Sequence, residues 1–245
     1  MGKAGAFCPE EERGAFHRPG MEEIAMYDVI ALGELLVDFA PVSTDGEGYP
    51  TLKANPGGAP GNFLAALSRY GARTAFVGKV GQDAFGRLLT DTLERAGIET
   101  KGVIADPEAF TTLAFVTLDE HGDRSFSFAR KPGADTRLRP EEVDLELILQ
   151  CRLFHFGTLS LTEQPARSAT QAAVAHAKAQ GKWVSCDPNL RLPLWDSPAA
   201  AREQMLWAVS QADIVKISEE EVDFLWGCSP QEGADRLLDQ CGVSL

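Results

Sequence analysis

Two stretches of the chain hold the residue types that chemistry on hydroxyls and phosphates requires. In NPGGAPGN, Gly57 and Gly58 lack a Cβ, so the backbone there can take positive φ and let a ligand approach its N–H groups. Phe63, Leu64, Leu67 and Tyr70 then share one apolar face of a helix that Gly71 can stop in a left-handed cap. Asn62 falls in the first turn of that helix, where its amide offers donors and an acceptor beside free backbone N–H groups, a set suited to a hydroxyl-rich ligand. The same residues also read as a turn over Pro56–Gly61 with Asn62 as a helix cap. In CDPNLRLPLW, Asp187, Asn189 and Arg191 leave a strand end in a loop stiffened by Pro188 and Pro193. A planar guanidinium placed there can grip phosphate oxygens in pairs, whereas the alternative is an Asp-Pro turn with Arg191 exposed. Downstream, Lys216 can neutralise a phosphate or be solvated, and Ser218-x-x-Glu221 is the spacing of a capping box.

The elements that must carry these residues alternate between strand and helix. YDVIALGELLVDF reads as a buried parallel strand broken by Gly33, in which the acidic Glu34 and Asp38 must be paired or lie at an exposed end. Ser43–Pro50 is a turn between short strands. Thr74–Val80 is a buried strand, and Phe85, Leu88, Leu89, Thr92, Leu93 and Ala96 form a helical stripe ended by Gly97. Thr111–Leu118 and Arg124–Phe128 flank DEHGD as a β-hairpin. Beyond Pro140 the pattern is regular: a helix marked by Val143, Leu147, Ile148 and Cys151, the strand LFHFG, an Ala-rich helix over Pro165–Gln180, the strand WVSCD, a helix from Ser197-Pro198, and the strand DIVKIS. A last helix opens on a capping box of Ser229 and Glu232 and ends at Gly242. Right-handed crossovers make these strands parallel, with their C-terminal ends on the edge where open α/β sheets bind ligands. His155, at one such end, reads as a packed core group.

Composition narrows the function classes. The chain has 245 residues and 44% apolar residues, ample for a soluble α/β core, and 36 acidic against 23 basic residues give a net charge of −13. With no basic stripe, nucleic acid and anionic membrane are poor partners. The five cysteines form no C-x-x-C pair, which argues against a disulfide framework or zinc site and points to a reducing cytoplasm. Residues 1–25 lack periodicity and are expected to be a disordered extension or start-site artefact before one domain over 26–245.

Taken whole, Asn55–Gly86 resembles the first signature of the PfkB (ribokinase-like) carbohydrate kinases, in which GG-x-x-x-N binds the sugar and G-x-x-G-x-D-x-x-G follows one strand later. Leu64 departs from the small residue usual there. FSFARKPGAD resembles the FYRNPGAD run of fructokinases, whose Arg contacts the sugar, with Ala129 for Tyr and Lys131 for Asn. CDPNLRLPLW is similar to the DPNxRxxLW of fructokinases and 2-keto-3-deoxygluconate kinases, and Ser218-x-x-Glu221 to the family's N-x-x-E. The resemblance implies a three-layer αβα sandwich with a mostly parallel central sheet and a small β lid from about residues 38–54 and 111–130. It implies that Asp38, Gly57, Gly58, Asn62 and Arg130 hold a sugar, and that Asn189, Arg191, Lys216, Ser218 and Glu221 face ATP, with Glu221 helping to organise Mg²⁺. The activity implied is that of fructokinase; a 2-keto-3-deoxygluconate kinase or other sugar kinase, and a non-catalytic sugar-binding protein, are the alternatives. Pairing of lid strands between subunits would give a homodimer. The family's second signature, D-T-x-G-A-G-D, which supplies the general-base Asp and an anion hole, does not occur in these residues. The base is therefore expected beyond Leu245, and the chain alone is expected to have at most trace activity.

Overall fold

The computed structural model describes residues 26–118, 124–240 and 243. Its centre is a six-stranded sheet in the order β10-β9-β8-β1-β4-β5, every pairing parallel. These strands are β1 (Tyr27–Leu32), β4 (Thr74–Gly81), β5 (Ile98–Asp106), β8 (Cys151–Gly157), β9 (Trp183–Asp187) and β10 (Ile214–Val215). Side chains on a strand alternate between faces, and β1 shows what both faces bury. Ile30 and Leu32 join Phe154, Phe156 and residues of α4 (Ala166–Ala179) and α5 (Pro198–Gln211). Val29 and Ala31 join Leu64 of α1 (Ala59–Arg69) and Leu89 and Leu93 of α2 (Ala84–Arg95). Helices on both faces make the three layers, as the sequence implied.

A second sheet, β3-β2-β6-β7, stands apart from the first. It comprises β2 (Leu36–Thr44), β3 (Pro50–Gly57), β6 (Leu113–Leu118) and β7 (Arg124–Ala129). The hairpin strands expected around DEHGD are β6 and β7, paired antiparallel, while the turn itself lies outside the described residues, as do residues 1–25 and Gly242. β2 runs parallel to β6 and antiparallel to β3, so the two lid segments form one sheet.

Several expectations are corrected. The apolar run from Tyr27 is two strands in different sheets, and the break at Gly33 is tight because a Cβ there would run into Pro60. Tyr70 does not join the apolar face of α1 but is 91% exposed. Cys151 begins β8, because the helix before it, α3 (Leu145–Leu149), is only one turn long. β5 follows Gly97 directly and had no counterpart in the sequence reading. In the wholly buried β4, Lys79 places its ammonium 2.8 Å from Glu142 and 3.2 Å from Asp106. Short α6 (Glu219–Trp226) and α7 (Pro230–Gln240) complete the described fold, with Leu237 and Val243 packed on Val209 of α5. No helix among the described residues is long and apolar enough to cross a membrane.

Candidate active site

Asn189 and Arg191 follow the C-terminal end of β9, Lys216 and Ser218 follow that of β10, and the second sheet is reached from the C-terminal end of β1 through Gly33–Leu35. Gly57 ends β3 opposite Leu36, and a Cβ on it would collide with the Asp38 carboxylate and with Leu36. Gly58 has φ +111°, and a Cβ there would strike the carbonyl oxygen of Glu34. Both glycines are thus demanded by close approach, and Gly58 also by backbone conformation. Gly58 is the N-cap of α1, with no side-chain cap, so the reading of Asn62 as the cap does not hold. Asn62 donates its backbone N–H to Gly58 at 3.0 Å and leaves its side chain exposed, free to meet a ligand.

The later glycines of the motif do a different job. A Cβ on Gly81 would meet Thr111 and Asp83, and one on Gly86 would meet the Gly81 carbonyl. Asp83 caps α2 through Phe85 and Gly86 and accepts from both the N–H and the hydroxyl of Thr111, at 2.8 and 3.0 Å. Burial alone would raise the Asp83 carboxyl, but these hydrogen bonds hold it below its ordinary range. G-x-x-G-x-D-x-x-G is therefore a clasp between α2 and the entry to β6.

Asp38, on β2, is half-buried. That burial lifts its carboxyl above the usual value, while the guanidinium of Arg191 opposes the shift. A carboxylate from the second sheet and an arginine from the loop after β9 thus share one field. Arg130 is buried and mostly engaged within the protein. Its guanidinium donates to Asp135 at 2.6 and 2.8 Å, to the Thr162 hydroxyl at 2.9 Å and to the Leu159 carbonyl at 2.9 Å. Asp135 also accepts from the Thr112 hydroxyl. The guanidinium expected to face a sugar is thus held mostly by the protein itself, and these four bonds leave one N–H for a ligand.

The loop after β9 is built from backbone hydrogen bonds. Asn189 takes a left-handed φ of +47°, and its N–H donates to Asp187 at 3.2 Å. Lys216 pairs with Asp187 at 3.1 Å and is otherwise solvated; burial raises the Asp187 carboxyl and Lys216 counters that. Ser218 and Glu221 form the expected capping box of α6. Glu221 also reaches farther, because one oxygen accepts from Ser218 N–H at 2.8 Å and the other from Leu190 N–H at 2.7 Å. With both oxygens so committed and the side chain buried, Glu221 does not fit a direct metal ligand. Among the described residues no group of three or more His, Cys, Asp or Glu is gathered around a cation position. His155 is buried against Phe63 and hydrogen-bonded to Ser185 at 2.9 Å, and burial lowers its pKa to about 4, so it is the neutral core group expected.

The residue whose role the sequence did not reveal is Glu34. It is buried, with one oxygen accepting from Ala59 N–H at 2.9 Å and the other without a partner. The available signal was an acid directly after Gly33 in an apolar run, which fixed the need for a partner but not its place.

A model of the pfkB family of carbohydrate kinases matches residues 26–242. The chain belongs to this family. Within it, the chain is similar to probable fructokinase-2 of Arabidopsis thaliana, 47% identical over 202 residues that cover 81% of this chain and 61% of the relative. The structure of the pfkB chain superposes with a TM-score of 0.79 on an ATP-bound fructokinase from Xylella fastidiosa, at 33% identity, covering 86% of this chain and 69% of that one. Against a Vibrio cholerae O395 fructokinase in its fructose, ADP and calcium ion bound form, the TM-score is 0.76 and the identity 38%, covering 88% and 68%. The chain thus spans about three fifths of the length of that curated pfkB relative.

Proposed function

We propose that the chain supplies the sugar-binding side and part of the nucleotide side of an ATP-dependent fructokinase. The observation that carries this reading is the Asp38 carboxylate on the second sheet, lying against Gly57 and in the field of Arg191. A carboxylate, backbone N–H groups at Gly57 and Gly58, the Asn62 amide and the spare N–H of Arg130 make a donor and acceptor set matched to a polyol. The lid above excludes water, which otherwise diverts phosphoryl transfer to hydrolysis.

On the other side, Asn189, Arg191, Lys216 and Ser218 offer donors to the phosphates of ATP. A groove of about 740 Å³ adjoins Lys216 and Ser218, lined by apolar residues including Val215, Ile217, Val222 and Leu237, and suits a nucleotide base. In the reaction a fructose hydroxyl oxygen bonds to the γ-phosphorus as the bond to the ADP oxygen breaks, and the hydroxyl proton passes to a base. Mg²⁺, which travels with ATP, neutralises phosphate charge; Glu221 serves it only by holding the loop that carries Asn189 and Arg191. We place the enzyme in the cytoplasm, as a homodimer through the lid, whose edge strands β3 and β7 each have one neighbour in the sheet.

Isothermal titration of the purified chain with fructose, 2-keto-3-deoxygluconate and ribose, beside Asn62→Ala and an ATP-turnover assay, tests this reading. Fructose binding that Asn62→Ala abolishes supports it. Preference for 2-keto-3-deoxygluconate would shift the assignment to an acid sugar held by Arg191, and a folded chain that binds no sugar would remove it.

A further inference from the structure

Glu34 lies where the chain leaves the central sheet for the lid. The outward crossing is Gly33–Leu35, between β1 and β2, and the return is Gly57–Ala59, between β3 and α1. The two crossings meet at this one residue: its carbonyl lies beneath Gly58, and its carboxyl accepts the Ala59 N–H at 2.9 Å. Its second oxygen is the only buried, unpartnered carboxylate oxygen among the described residues.

We infer that Glu34 is the positioning residue of the Gly57–Gly58 loop, a strap that ties the outward crossing to the returning one and is seated best when its free oxygen carries a proton. The inference rests on the reading of that loop as the sugar-binding element.

A buried oxygen with no donor is costly as part of an ionised group and far less so as a hydroxyl. Burial raises the Glu34 carboxyl to about 7 against hydrogen bonds from its own N–H and from Ala59 N–H that lower it. Two charged groups face it, both from the segment that follows β7: Arg130 favours ionisation and Asp135 opposes it. They are bonded to each other at 2.6 Å and act on Glu34 in opposite directions, Arg130 the more strongly. If the strap opens, the carboxyl meets water and returns to its ordinary pKa of 4.5. The proton therefore favours the closed strap, and that preference is lost progressively as pH rises from 4.5 through about 7.

The test is amide hydrogen exchange of the full chain, wild type beside Glu34→Gln and Glu34→Ala, at pH 5 and pH 8 after correction for intrinsic exchange. Glutamine keeps an acceptor for Ala59 N–H and is neutral at every pH. Wild-type protection over residues 57–62 should therefore fall by about tenfold or more relative to Glu34→Gln between the two pH values, since each pKa unit is tenfold in the opening equilibrium. Glu34→Ala should be less protected there than both, with β4 and α2 unchanged. Equal pH dependence in wild type and Glu34→Gln, or wild-type protection in a folded Glu34→Ala, would overturn the inference. Should Glu34→Ala fail to fold, the comparison with Glu34→Gln decides alone. Fructose affinity, measured in parallel, should follow the protection. A wild type that binds no fructose defeats the sugar reading of the loop, while the exchange data still decide the strap.

Discussion

Glu221→Ala separates a carboxylate that holds a loop from one that holds a cation. Ser218→Ala removes only the hydroxyl that accepts the Glu221 N–H, and loss of such a cap costs about 1 kcal/mol. Glu221→Ala leaves the N–H groups of Leu190 and Ser218 without their carboxylate, each bond being of the charged kind worth about 1.5–3 kcal/mol. Both N–H groups lie at half-buried positions, so water recovers part of the loss and the net cost should be about 2–4 kcal/mol. For a chain of this size that lowers Tm by about 5–15 °C. Glu221→Gln, whose amide oxygen can serve only one of the two N–H groups, should fall between Ser218→Ala and Glu221→Ala. The assay is thermal unfolding followed by circular dichroism, with and without millimolar Mg²⁺. A Glu221→Ala no less stable than Ser218→Ala would refute the bracing argument. So would a Mg²⁺-dependent stabilisation of the wild type that Glu221→Ala alone abolishes.

The same measurements extend to other residues. Glu34 has its folded pKa raised to about 7 from 4.5, so stability present below pH 4.5 is lost as pH rises through 7. Relative to wild type, Glu34→Gln should therefore gain about 3 kcal/mol between pH 4.5 and 8, read as diverging urea midpoints. Asp83 is shifted the other way, so its contribution is present above its ordinary value of 3.8 and lost as pH falls through the folded pKa. Asp83→Ala should cost about 2 kcal/mol at neutral pH and flatten the acid limb of the stability curve. Gly58→Ala combines a φ of +111° with a steric conflict at Glu34, and should weaken fructose binding by at least about tenfold with a native circular dichroism spectrum. Lys79→Ala removes the ammonium between Asp106 and Glu142, which keep Arg137 and Arg139 as partners, and should destabilise by about 2–3 kcal/mol in urea unfolding, whereas Ser125→Ala on the exposed hairpin should stay within about 0.5 kcal/mol.

Local pattern made much of the fold legible. Alternation and helical spacing located β4, β8, β9, α2, α4 and α5, and S-x-x-E announced the cap that Ser218 and Glu221 form. What escaped depends on partners distant in sequence. Apolarity from Tyr27 onward could not say that β1 and β2 lie in different sheets, because that choice is made by Thr74 and Cys151 pairing with one and Gly57 with the other. Glu221 and Leu190 are 31 residues apart, so the bracing bond was invisible while the cap was plain. Lys79 inside a buried strand demanded a counter-charge, but Asp106 and Glu142 become neighbours only through β5 and the turn Pro140–Glu142. Arg130 was closer to readable, since its partner Asp135 stands five residues on, inside the same ARKPGAD run.

The lid joins the core through crossings that are each fastened by a carboxyl group: Glu34 on Ala59, Asp83 on Thr111, and Asp135 on both Thr112 and Arg130. Apolar contacts can slide over one another by small steps, but hydrogen bonds to fixed N–H and O–H groups cannot without breaking. A rotation of the four-stranded sheet about this pinned line would therefore break fewer of these bonds than a shear. Under such a rotation displacement would grow with distance from the pins and be largest toward the turn between Thr44 and Pro50.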